Sequence, residues 1–216
     1  MHQKRERLAR RSQESRDPWI IHPARGITRS RSDAALRSRA AQLPKSLYRL
    51  TSSWGELRVP ALTEEMKRLV DWQRLGFVAT VCPDGTPNVS PKGTVCVLDD
   101  DHLVFADIRS PGTVANLQTN PNVEVNVVDQ FVRKGYRFKG TAEVFNAGPD
   151  FEQLVAFFSD RGLFDAPQRI RAVVVIRVDQ ARPLISPGYD REGVDEATVR
   201  EDMVRYYTSG DHDGAV

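Results

Sequence analysis

Two short segments bring together residue types that could hold an anion. In Asn88-Val89-Ser90-Pro91-Lys92-Gly93-Thr94, the residues Ser90, Lys92 and Thr94 alternate along the chain. In an extended backbone their side chains share one face, so two hydroxyls flank one ammonium. Pro91 cannot donate to a sheet ladder and Gly93 lets another group approach the backbone, so this strand reads as locally opened for a ligand. The second segment is Asp107-Ile108-Arg109-Ser110-Pro111-Gly112-Thr113-Val114-Ala115-Asn116-Leu117. Ser110 suits a helix N-cap and Pro111 the first helical position, where the missing N–H costs nothing. The unpaired amides and positive dipole end of such a helix attract an anion, and Arg109, Ser110 and Thr113 would add side-chain donors. Taken singly, one segment fits an edge strand with a solvated lysine and the other an ordinary capped helix. Together they point to a phosphate-bearing ligand, because one hairpin turn at Asp99–Asp101 could bring both clusters to one end of a sheet.

The elements that must position them follow from periodicity. Thr63, Glu64-Glu65 and then Met66, Leu69 and Val70 predict a capped amphipathic helix ending near Gly76. A strand over Gly76–Cys82 and a turn at Pro83-Asp84-Gly85-Thr86 follow, and the strand leaving that turn is expected to run to Leu98. Further strands are expected over His102–Ile108, Val123–Val128, Tyr136–Phe145 and Ala172–Val178. Between the last two, Phe151, Leu154, Val155 and Phe158 recur at helical spacing and read as a core stripe. Six short strands with tight turns and few helices predict a mainly β (α+β) fold, a six-stranded antiparallel barrel with flanking helices. Asp99-Asp100-Asp101 reads as a solvated turn, since the alternating oxygen-ligand loop of a calcium site is missing.

Charge divides the chain. Residues 1–60 hold 14 Lys and Arg against 5 Asp and Glu, while the totals are 31 and 29, so the remainder carries a net −7. The first segment is rich in Arg and Ser with scattered apolar residues, and is expected to be a disordered basic extension. A nucleic-acid-binding arm, a transit peptide and a stretch without a role all fit its composition; aromatic residues for stacking on bases are few, so a nucleic-acid partner is not favoured. Residues 61–216 are expected to form the folded domain, with a C-terminal helical tail from about 187. No apolar run is long enough to span a membrane, and no apolar signal region follows the basic start, so a cytoplasmic protein is expected. Cys82 and Cys96 sit in apolar runs and read as structural thiols. The four His, at positions 2, 22, 102 and 212, lack the pairing of a triad or zinc site, and no metal ligand set is expected.

The order of these pieces resembles the flavin-binding split barrels, the superfamily of pyridoxamine 5'-phosphate oxidase and the small bacterial FMN-binding proteins. The resemblance covers about residues 62–186. It rests on Gly76-Phe77-Val78-Ala79-Thr80, on Asp84-Gly85-x-Pro87, on Ser90-Pro91-Lys92-Gly93-Thr94, and on Phe105-Ala106-Asp107-x-Arg109-Ser110-Pro111-x-Thr113-x-x-Asn116-Leu117. Phe138-Lys139-Gly140-Thr141-Ala142 and Gly148-Pro149-x-Phe151 follow in order. The resemblance implies a split barrel with FMN as cofactor, its ribityl phosphate held by Ser90, Lys92, Thr94, Asp107, Arg109, Ser110, Thr113 and Asn116. Asn116 could instead face the packing of its helix. The resemblance also implies a homodimer with flavin at the subunit interface, and an FMN-dependent oxidoreductase acting on a small molecule. A flavin-binding or electron-transfer module with a redox partner, and a barrel using F420 or haem, stay open beside it. True pyridoxamine-phosphate oxidation is not expected, because the chain after Ser186 runs Pro187-Gly188-Tyr189-Asp190-Arg191 without the Arg- and His-containing substrate motif. A flavin carries the redox chemistry itself, so the catalytic side chains stay unassigned.

Overall fold

A computed structural model describes residues 61–164 and 166–209; the basic extension expected over residues 1–60 lies outside them. The first helix, α1 (Glu64–Gln73), starts where Thr63 Oγ1 accepts the amide of Met66 at 3.3 Å, and Glu64 and Glu65 fill its first turn. It ends at Arg74, whose left-handed backbone turns its N–H back to the Val70 carbonyl at 2.9 Å. The strands are β1 (Gly76–Val81), β2 (Pro87–Lys92), β3 (Cys96–Val97), β4 (His102–Asp107), β5 (Asn122–Asp129), β6 (Lys134–Phe145) and β7 (Ala172–Ile185). Helix α2 (Pro111–Thr119) joins β4 to β5, α3 (Gly148–Asp160) joins β6 to β7, and α4 (Glu196–Ser209) follows β7 after a short 3-10 turn at Pro187–Asp190.

All strand pairs are antiparallel, in the order β2-β1-β5-β6-β7-β4-β3. The mainly β expectation holds, with seven strands in place of six. The strand expected to run unbroken to Leu98 is two strands, since Pro87–Lys92 pairs with β1 while Cys96–Val97 pairs with β4. Those partners lie toward opposite ends of the sheet order, so no single straight strand could serve both. Chain continuity through Gly93, Thr94 and Val95 thereby curls the sheet toward closure. The last strand is also longer than its apolar run. Beyond Val178 its polar continuation to Ile185 still pairs with β6, past an irregularity at Lys139/Gly140.

Alternation sets the two cores. Val78 of β1, Leu103 and Phe105 of β4, Val125 of β5, Phe138 of β6 and Val174 and Ile176 of β7 fill the inside of the curl, joined by Leu62 just before α1, Val70 of α1 and Leu117 of α2. Val104, Ala106, Val173 and Val175 point the other way and pack under Leu154 and Phe158 of α3. The stripe read at Phe151–Phe158 is this cover. Because β4 and the first half of β7 are buried on both faces, they read as unbroken apolar runs. No helix among the described residues is long and apolar enough to cross a membrane.

At the β6–β7 irregularity the backbones meet so closely that a Cβ on Gly140 would lie 2.1 Å from the Arg177 carbonyl oxygen. Gly140→Ala is therefore expected to destabilise the fold by about 3 kcal/mol or more, read as a lower urea midpoint. An unchanged midpoint would mean that the strands separate there without cost.

Candidate functional site: a buried lysine held by hydroxyls

β2 is an edge strand, where Pro91 is tolerated, and its register with β1 puts Ser90 opposite Val78 and Lys92 opposite Gly76. Ser90 and Lys92 therefore project to the side that Val78 fills, while Val89 and Pro91 face outward. Lys92 is 4% exposed. Its ammonium donates to Ser90 Oγ at 2.5 Å and to Ser110 Oγ at 2.7 Å, lies 3.5 Å from Thr113 Oγ1, and sits 5.7 Å from the centroid of the Phe105 ring. No described carboxylate forms a salt bridge with it. Burial pushes the ammonium toward the neutral form, lowering its pKa from 10.5, and the Coulomb field of Asp107 offsets part of that.

The helix start is built as its sequence suggests, with one change. Ser110 occupies the N-cap and Pro111 the first turn, yet the Ser110 hydroxyl caps no amide. It accepts from Lys92 instead. Asp107 is buried, and its carboxylate accepts the Ser110 amide at 2.7 Å, fixing the bend that leads from β4 into α2. Arg109 stands exposed at this bend, with no hydrogen bond or ion pair to a described residue. It adjoins the residue that Lys92 touches, so the two cations share one end of the barrel.

Thr94 and Asn116 turn elsewhere. Thr94 follows Gly93 past the end of β2, so it does not continue the alternation of Ser90 and Lys92. Its hydroxyl donates to the Ala106 carbonyl at 3.1 Å and accepts the Ala106 amide at 3.0 Å, replacing a ladder pair between this segment and β4. Asn116 is buried, and its amide donates to Thr80 Oγ1 at 3.0 Å and approaches Cys82 Sγ at 3.5 Å. Asn88 also donates to Thr80 Oγ1, at 3.1 Å. Thr80, which sequence reasoning did not single out, is the acceptor that ties α2 and β2 to β1. A Thr in an alternating apolar strand is usually a cross-strand filler, so its type gave no separate signal.

The donor set suits an anion. Each hydroxyl that accepts from the ammonium has its own proton free for an acceptor on the other side. Pro111 has no N–H to offer and the side chain of Ser110 is engaged, so the Gly112 and Thr113 amides at the positive end of α2 carry no side-chain cap. One buried positive charge, several O–H donors and a helix start converge where no described carboxylate is in contact. A phosphate would supply the missing negative charge.

A family model described as pyridoxamine 5'-phosphate oxidase matches residues 62–184. The chain belongs to this family. Membership gives it the split-barrel fold. An uncharacterised protein of Methanocaldococcus jannaschii is 34% identical over 92 residues, 42% of this chain and 60% of that protein, so this chain spans only about three-fifths of that curated relative. Among solved structures, the HupZ protein of Group A Streptococcus is 33% identical over 58% of this chain and 95% of its own, with a TM-score of 0.50. An FMN-binding protein of Syntrophomonas wolfei is 14% identical over 69% of this chain and 95% of its own, with a TM-score of 0.47.

Lys92 also makes a stability statement. Below its lowered folded-state pKa the ammonium is charged in both states, and the cost of burying it is fully present. Between that value and 10.5 the native state has shed a proton that the unfolded chain keeps, so native stability rises with pH. Without added ligand, Lys92→Met is expected to be more stable than the native sequence by about 1 kcal/mol near neutral pH, with the gap closing as pH approaches 10.5. Urea unfolding at several pH values measures this, and a gap that widens with pH would contradict it.

Proposed function

We propose that the chain is an FMN-binding flavoprotein, an FMN-dependent oxidoreductase for a small molecule, working as a homodimer. The observation that carries the reading is the Lys92 ammonium, buried and bonded to hydroxyls, beside the start of α2. Family membership supports a flavin there. Lys92, Ser90, Ser110 and Thr113 would hold the phosphate with the Gly112 and Thr113 amides, and Arg109 would close over it from solvent. Asp107 positions the Ser110 end of that cradle, while Thr94 and Asn116 act one step back by fixing β4 and α2. FMN, when bound, supplies hydride or single-electron transfer. The chain contributes placement: a neutral apolar floor at Phe105 and a dianion site that distinguishes FMN from riboflavin.

The dimer reading rests on the outward face of β1 and β2. Phe77 opposes Pro91 and Ala79 opposes Val89 across the ladder. Phe77 is 48% and Val89 62% exposed, with Val81 beside them at 38%. Contiguous apolar surface of this kind marks an interaction site, and a second copy of the same sheet face would cover it around a two-fold axis.

Two experiments test the parts separately. The purified full chain is expected to carry or take up FMN with flavin absorbance, and Lys92→Met is expected to weaken FMN roughly 10- to 100-fold while leaving riboflavin unchanged. No uptake of FMN by the native chain, or equal loss of both ligands, removes the phosphate site. Phe77→Glu is expected to convert a dimer to a monomer in light scattering. A native chain that is already monomeric at micromolar concentration removes the dimer.

A further inference from the structure

A second concave site lies on the other face of the sheet. Helix α4 docks on the β5–β6 hairpin through Val199, which is buried, and through ion pairs from Lys134 to Glu196 at 3.3 Å and from Arg200 to Asp129 at 3.6 Å. Tyr189 reinforces the dock: its hydroxyl donates to the Val132 carbonyl at 2.7 Å, and Lys134 lies 4.3 Å from its ring centroid. Positions 203, 206 and 207 continue the stripe begun by Val199, at the i+4, i+7 and i+8 spacing of one helix face. There the hairpin reaches the helix through Phe131, against Tyr207, and leaves a hollow beside that contact. Met203, Tyr206 and Tyr207 wall a cavity of about 480 Å³ whose other sides are Val128, Arg133 and Pro187. That volume is in the range of small-molecule sites.

The lining is specific in kind. Tyr206 and Tyr207 meet edge to face with centroids 5.2 Å apart, and Phe131 meets Tyr207 edge to face at 5.9 Å, so the aromatic wall is braced. Arg133 is the cation of the hairpin that stays uncommitted. Its neighbours Lys134 and Arg200 are ion-paired, while its guanidinium forms no hydrogen bond or ion pair with a described residue. Arg133 also holds a left-handed backbone, φ 52°, where Gly or Asn is the usual occupant. Arg133 is exposed at this turn and lines the aromatic cavity, so its unpaired guanidinium is available to an anion bound there.

We propose that this cavity binds a planar aromatic acid, its ring against Tyr206, Tyr207 and Met203 and its anionic group on Arg133. The site goes beyond the flavin reading and does not depend on it. Val128 alternates with Val125 and Val127, which face the barrel core, so within one chain the cavity opens on the face opposite Ser90 and Lys92.

The test uses the full chain with 1-anilinonaphthalene-8-sulfonate as the aromatic anion and N-phenyl-1-naphthylamine as its uncharged counterpart, followed by fluorescence. Arg133→Gly keeps the backbone conformation that glycine adopts freely, so this variant is expected to unfold no earlier than the native chain. It should weaken the sulfonate roughly tenfold and the neutral dye less than twofold, as expected for one charge-assisted contact. Met203→Trp, which fills the cavity, should remove both. Full sulfonate affinity in Arg133→Gly and Met203→Trp overturns the proposal, because the dye would then be lying on another apolar surface such as Phe77 and Val89. Displacement of the dye by FMN in Lys92→Met also overturns it, since the cavity would then be a flavin-ring site. Failure of FMN to bind the native chain leaves these outcomes unaffected.

Discussion

A buried ammonium without a carboxylate in contact is the constraint on which the site depends. Taking a charge out of water is costly unless donors or counter-ions replace the solvent. At Lys92 the replacement is made by three hydroxyls from two places: Ser90 on the same strand, and Ser110 and Thr113 at the start of α2. These oxygens satisfy the N–H donors but do not neutralise the charge. The local field therefore remains positive, and the polarised hydroxyl protons and the first amides of α2 add to it. Asp107 lies near enough to soften the field, yet its carboxylate is committed to the Ser110 amide, so it holds geometry without pairing off the lysine.

That arrangement dictates how the sheet must be built. Lys92 can reach Ser110 only if β2, at one edge of the sheet order, comes round to β4 near the other. Thr94 performs the joining by exchanging two hydrogen bonds with the backbone of Ala106. On the opposite flank, Asn116 and Asn88 converge on the single hydroxyl of Thr80, so that α2, β1 and β2 move as one piece. The remote tip of the β3–β4 hairpin is fixed as firmly. The Asp99 carboxylate accepts the amides of Asp101 and His102 and contacts the His102 ring at 2.8 Å. Burial would raise the pKa of Asp99, but these hydrogen bonds and the His102 charge outweigh it and hold the carboxyl low.

Much of this was legible in the residues because the relevant signals are local. Alternation located the strands, Ser110-Pro111 located the start of α2, and Ser90 and Lys92 share a face as extended backbone requires. Signals that depend on distant partners were not legible. The break between β2 and β3 follows from their pairing at opposite ends of the sheet, which no local pattern encodes. Thr94 looked like a third member of the alternating row, but Gly93 turns the chain before it. Asn116 sits in a family-like motif, while its actual partners, Thr80 and Cys82, lie more than 30 residues away. Asp99-Asp100-Asp101 invited a cation reading, yet each carboxylate has its own donor: the His102 ring, Lys67 Nζ at 2.6 Å and the Ala61 amide at 3.0 Å.

The polar half of β7 shows how stability and recognition are divided along one strand. From Ala172 to Val178 nearly every residue is buried between the barrel interior and α3, and apolar contact holds the pairing. From Asp179 onward the ladder to β6 continues with little burial, and Arg137 is directly opposite Arg182. Like charges in register oppose pairing. Glu124 on β5 offsets this by reaching Arg137 and Lys139, each at 3.5 Å, and α4 clamps the far end through the hairpin. The extended sheet is therefore kept by its neighbours more than by its own sequence. It carries Ser186 and Pro187 to the rim of the aromatic cavity, so the same weakly apolar segment that sequence patterning overlooked completes that rim.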